Sequence, residues 1–90
     1  METPPIQTEK LLTAQQCGTA IRLFARVTVQ PGKELAFHTH RGDAEAYYIL
    51  SGTGLYTDGT TERTVAAGDV TFCPDGGSHG IRCVGTEPLV

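Results

Sequence analysis

The sequence has no tryptophan, one methionine and only three cysteines, Cys17, Cys73 and Cys83. An odd count without CxxC spacing argues against a disulfide framework and predicts three reduced thiols. Lysine and arginine number seven and never cluster. That argues against a nucleic-acid groove and against a polybasic membrane contact, so neither partner is expected. Ten acidic residues set the formal charge at −3. No apolar run is long enough to span a bilayer. The opening Met1-Glu2-Thr3-Pro4-Pro5 lacks the basic start and apolar stretch of a signal peptide, and a cytoplasmic location is expected. A 3.6-residue apolar stripe is missing too: residues 10–16 allow one helical turn and no more.

What is present is glycine, eleven residues in ninety, and short segments of alternating character. Ile21 to Val29 alternates over nine residues and predicts a half-buried strand, ended by Pro31-Gly32. Further strands are expected at Glu34–His40, Glu45–Leu50, Leu55–Thr57, Thr60–Val65, Val70–Cys73 and Ile81–Val84. Ser51-Gly52-Thr53-Gly54, Ala67-Gly68-Asp69 and Pro74-Asp75-Gly76-Gly77 read as breaks. Asp58-Gly59 reads as a tight hairpin, since both residues tolerate positive φ. Short strands with turns every eight to twelve residues describe an all-β sandwich or barrel. One domain is expected: residues 1–20 as an N-terminal extension, a strand or an arm, and 21–90 as the barrel.

The chain has three histidines. His38 and His40 are two apart on an expected strand, so both imidazoles face one side, with Cβ atoms about 6.5–7 Å apart. Glu45 opens the returning strand, and His79 follows a glycine-rich turn. Three imidazoles and a carboxylate suit Mn, Fe, Co, Ni, Cu or Zn better than Mg or Ca. Four ligands would leave one or two positions on such an ion for water or substrate. A divalent ion with one ionised Glu leaves the set at net +1, which favours anionic or chelating oxygen ligands.

The frame around these residues is specific. Gly32-x5-His38-x-His40-x4-Glu45-x6-Gly52 is followed by Gly68-x5-Pro74-x-Gly76-x2-His79. The two blocks resemble the two motifs of the cupin family across about residues 21–85. The resemblance implies a double-stranded β-helix, or jelly-roll, barrel. It also implies one divalent transition metal per chain, held by His38, His40, Glu45 and His79. The second motif normally ends in Asn, where this chain has Cys83; alternation turns that thiol inward, as a buried group beside the site. Small cupins usually continue past a segment like the present C-terminus into another strand. Either the barrel lacks that strand or a partner subunit supplies one.

Tyr47 shares the inward face with Glu45 and reads chiefly as core. Arg41 and Asp43, on the loop between ligands, read either as a gate at the barrel mouth or as solvated loop charges. Outward Phe24 and Tyr48, with an open barrel edge, predict a homodimer. The expected function is a small metal-binding cupin with oxygenase-type activity on a small anionic or chelating molecule bound in the barrel. The alternatives are non-catalytic binding of a sugar or carboxylate, and metal-dependent isomerisation. No general acid or base outside the ligand set is evident in the sequence.

Overall fold

The computed structural model describes residues 4–19 and 23–90. Among these, eight strands and one short helix follow in the order β1 (Ile6–Lys10), α1 (Ala14–Cys17), β2 (Ala25–Val29), β3 (Glu34–Thr39), β4 (Glu45–Tyr48), β5 (Thr53–Thr57), β6 (Glu62–Ala66), β7 (Val70–Cys73) and β8 (Ser78–Cys83). The fold is all-β and of the jelly-roll kind. One layer is a four-stranded sheet in the order β3-β8-β5-β6; facing it are two antiparallel pairs, β1-β2 and β4-β7. No helix among the described residues is long and apolar enough to cross a membrane.

Inward residues of both layers meet in one core of Val29, Ile49, Tyr56, Val65, Ile81, Cys83 and Leu89. β4 shows why alternation works here: Glu45, Tyr47 and Ile49 turn in, while Ala46 and Tyr48 face out. The single helical turn is held by a capping box, Thr13 Oγ1 accepting from Gln16 N–H and Gln16 Oε1 accepting from Thr13 N–H.

Several boundaries differ from expectation, each for a physical reason. The strand expected from Ile21 is regular only from Ala25, and Ile21 and Arg22 lie outside the described residues. Gly54 lies within β5 rather than in a break. A Cβ there would sit 2.9 Å from Leu89 Cδ2 and 3.1 Å from Ile81 Cδ1, so the core needs its bare backbone. The Asp58-Gly59 hairpin has a longer loop than two residues. Only Gly59 has positive φ. Asp58 instead accepts from the amides of Thr60 and Thr61 at 2.8 and 2.7 Å, which holds both residues in the turn.

The last residues join the second layer. Leu89 and Val29 exchange backbone hydrogen bonds of 2.9 and 2.8 Å, and Val90 bonds to Leu50 and Ser51. Gly52, at φ +84°, makes room for this segment. A Cβ on it would run into the Pro88 carbonyl.

Candidate metal centre

β3 and β8 deliver two of the histidines through an irregular register. Glu34 pairs with Arg82 and Leu35 with Ile81, but His38 pairs with His79 and Thr39 with Ser78. One extra residue therefore sits in β3, and Ala36-Phe37 stand opposite Gly80. In a regular strand Leu35 and His38 would face opposite sides. The bulge flips the parity, so Leu35 packs on the core while His38 faces inward beside His79. It also frees the Ala36 carbonyl, which accepts from His38 Nδ1–H at 2.7 Å. His40 lies just past β3, tied to the turn before β8 by His40 N–H to the Gly77 carbonyl and Gly76 N–H to the His40 carbonyl. Glu45 begins β4, and His79 stands in β8 rather than in the preceding loop.

The four side chains expected as ligands come together, their donor atoms all within 4.8 Å of one another. His40 Nε2 lies 3.1 Å from His38 Nε2, 3.1 Å from His79 Nε2 and 3.1 Å from Glu45 Oε1. His79 Nε2 is 3.2 Å from His38 Nε2 and 2.8 Å from Glu45 Oε1. The widest edge, 3.7 Å, separates His38 Nε2 from Glu45 Oε1. A tetrahedron with such edges has its centre about 2 Å from each corner, the distance of a first-row divalent ion from its nitrogen and oxygen ligands.

The tautomers support the same fit. His38 and His40 each place Nδ1 against an acceptor, the Ala36 carbonyl and Asp43 Oδ1 at 3.2 Å. With the proton held on Nδ1, two neutral rings point bare Nε2 lone pairs at each other across 3.1 Å. A cation between them satisfies that arrangement; a hydrogen bond does not. His79 Nδ1 lies 3.0 Å from the Tyr56 hydroxyl, which can donate or accept and so suits either tautomer.

Burial grades across the cluster. The His79 side chain is 0% exposed, His40 11%, Glu45 31% and His38 42%. The approach from solvent is therefore over His38 and Glu45, across the widest edge. Burial pushes His79 below the ordinary histidine range, against the pull of Glu45. Burial alone would raise Glu45. Hydrogen bonds from Tyr47 and His79, with the neighbouring imidazoles, outweigh it and hold the carboxylate ionised. Tyr47 stacks on His79 at 4.9 Å between ring centroids, and its hydroxyl lies 3.4 Å from His79 Nε2. Burial, and then the Glu45 charge, push its phenol far up, so it remains a donor.

Two contacts were not readable in the sequence. Asp43, expected either to gate the barrel mouth or to be a solvated loop charge, orients His40; Tyr56, part of a plain hairpin strand, anchors His79. No spacing rule marks either one. Asp43 also alters the charge sum: a divalent ion, Glu45 and Asp43 give 2 − 1 − 1 = 0, where the four ligands alone leave +1. Cys83 is buried as expected, but its Sγ contacts the Glu87 carbonyl at 3.2 Å. The thiol ties down the segment leading to Leu89 and is not one of the converging donors. All three cysteines are free and buried.

The Cupin domain family matches residues 25–90. The chain belongs to the cupin family. It is 37% identical over 84 residues to an oxalate-binding protein of Thermotoga maritima, covering 93% of this cupin and 69% of that protein. A mannose-1-phosphate guanylyltransferase of Salmonella muenchen is 34% identical over 67 residues, but this cupin spans only 14% of its length. Among solved structures, a predicted oxalate decarboxylase of Thermotoga maritima superposes with a TM-score of 0.89 at 37% identity, over 93% of this cupin and 73% of that chain. The TT1209 protein of Thermus thermophilus gives 0.79 at 26%, over 93% and 75%.

Proposed function

We propose that this cupin holds one divalent transition ion through His38, His40, Glu45 and His79 and uses it to bind a small carboxylate or other oxygen-chelating molecule. The observation that carries the reading is the convergence of four donor atoms, with His38 and His40 fixed to present bare nitrogens. The bound ion would act as a Lewis acid toward the ligand's oxygens. Ala36, Asp43 and Tyr56 orient the three imidazoles. Tyr47 keeps a hydroxyl proton beside Glu45, where it can donate to an oxygen of the ligand. The relative named for oxalate binding favours a carboxylate over a sugar. The oxygenase-type activity expected from the sequence requires a redox-active ion, and iron, manganese or copper in native protein is the result that would raise it.

The test is calorimetric titration of metal-loaded protein with oxalate. Saturable binding that disappears in His38→Ala/His40→Ala protein supports the reading. Binding that survives the double substitution contradicts it.

The second proposal is a homodimer. Phe24, Tyr48, Val70 and Phe72 are all more than half exposed, and Tyr48 and Val70 are cross-strand partners. An apolar face of this kind is the surface that a second copy would cover.

A further inference from the structure

Each ring nitrogen of His79 has a partner. Nε2 lies 2.8 Å from Glu45 Oε1, and Nδ1 lies 3.0 Å from the Tyr56 hydroxyl. A neutral imidazole carries one proton, so two arrangements are open to the ring. In the first, Nε2–H donates to the Glu45 carboxylate and the Tyr56 O–H donates to Nδ1. In the second, Nε2 is bare, Nδ1–H donates to the Tyr56 oxygen, and the Tyr56 proton must go to another acceptor. Holding an ion through Nε2 requires the second.

β7 supplies an acceptor. Thr71 is the cross-strand partner of Tyr47 and is 1% exposed, between the outward Val70 and Phe72. Its Oγ1 is the one buried side-chain oxygen or nitrogen among the described residues that makes no hydrogen bond. It stands beside Tyr56: burial pushes that phenol up, and the Thr71 hydroxyl works against the rise. Arg63 keeps the two residues together. Its guanidinium lies 5.9 Å from the centroid of the Tyr56 ring, and Nη2 donates to the carbonyl of Val70 at 2.9 Å, one residue before Thr71. A buried hydroxyl without a partner is costly, and the second arrangement is the one that pairs it.

We infer that Thr71 is a positioning residue for the metal centre: its Oγ1 accepts from the Tyr56 hydroxyl when His79 turns a bare Nε2 toward an ion. The relay then runs from His79 Nδ1–H to the Tyr56 oxygen and from Tyr56 O–H to Thr71. Thr71 is not one of the four converging donors and acts only through Tyr56 and His79. The inference rests on the metal site proposed above. It adds that filling this site reverses the hydrogen bond between Tyr56 and His79 and gives the buried threonine its partner.

Zinc is the probe, its affinity measured by competition against a chelator. Thr71→Val keeps the shape of the side chain and removes the acceptor, and should weaken zinc binding roughly tenfold. Thr71→Ser keeps the hydroxyl and should restore the affinity. In Tyr56→Phe protein the relay is already cut, so adding Thr71→Val should cause no further loss. Metal-free Thr71→Val protein should melt no lower than the unmodified chain, because the hydroxyl has no partner to lose in that state. Nitrogen-15 NMR should place the His79 proton on Nε2 without zinc and on Nδ1 with it. Unmodified protein that binds no zinc would overturn the proposed function and this inference with it. Where the unmodified protein does bind zinc, four results overturn the inference alone: full affinity in Thr71→Val, an undiminished further loss in the Tyr56→Phe background, a lower melting temperature for metal-free Thr71→Val, or a His79 proton on the same nitrogen in both states.

Discussion

Gly80 faces the backbone of Phe37 so closely that a Cβ on it would lie 3.1 Å from both N and Cα of Phe37 and 3.3 Å from the Leu35 carbonyl. These atoms are the bulge, and the bulge turns His38 inward and frees the carbonyl that fixes its ring. Backbone cannot yield as a flexible side chain can. Gly80→Ala should cost about 1–3 kcal/mol and weaken metal binding more than an alanine elsewhere on β8. Thermal melts with and without metal check this; an unchanged metal-dependent rise in Tm would show that the bulge does not position His38.

Tyr56→Phe removes the hydroxyl from His79 Nδ1 while keeping the ring in the core. Asp43→Asn removes the charge from His40 Nδ1. Each should weaken metal affinity roughly 10–100-fold and leave the fold intact. Competition against a chelator measures the affinities, and circular dichroism checks the fold. Wild-type affinity in both variants would mean that the imidazoles need no outer support.

The response to acid follows from His79 and Glu45. Both are held below their ordinary values in the folded chain, so the unfolded chain binds more protons and stability rises with pH. Their contribution is complete above the ordinary histidine value of 6.5. It begins to fall below that pH through His79, and falls further below 4.5 through Glu45. Melts of metal-free protein across this range should show the loss, and His79→Gln should remove its upper part. The metal-loaded protein should lose stability more steeply, since protons displace the ion.

The expected dimer is tested by light scattering at micromolar concentration. Tyr48→Lys/Phe72→Lys should convert it to a monomer with unchanged metal content. A monomer mass for the unmodified protein would reject the dimer.

The fold class and the clustered residues were legible because they rest on local pattern. Alternation in β2 and β4, turn glycines and the histidine spacing are all short-range signals. The His38 and His40 geometry was legible for an incomplete reason. A regular strand puts those two on one face, but it would not put Leu35 there as well, and the bulge that reconciles them leaves no mark except a glycine 43 positions on, at Gly80. Asp43 and Tyr56 were missed because their roles depend on where a ring lies in space, not on spacing. The four-residue turn at Asp58 was misread as two because a side chain accepting two amides competes with positive φ as a way to close a hairpin.

Whether His38, His40, Glu45 and His79 together hold one metal ion is decided by elemental analysis. Protein purified without added metal, or reconstituted with zinc or manganese, should carry one ion per chain, and His38→Ala/His40→Ala protein should carry almost none while still folding. Full occupancy in the double variant, or no ion retained by the native protein after reconstitution, would contradict the account.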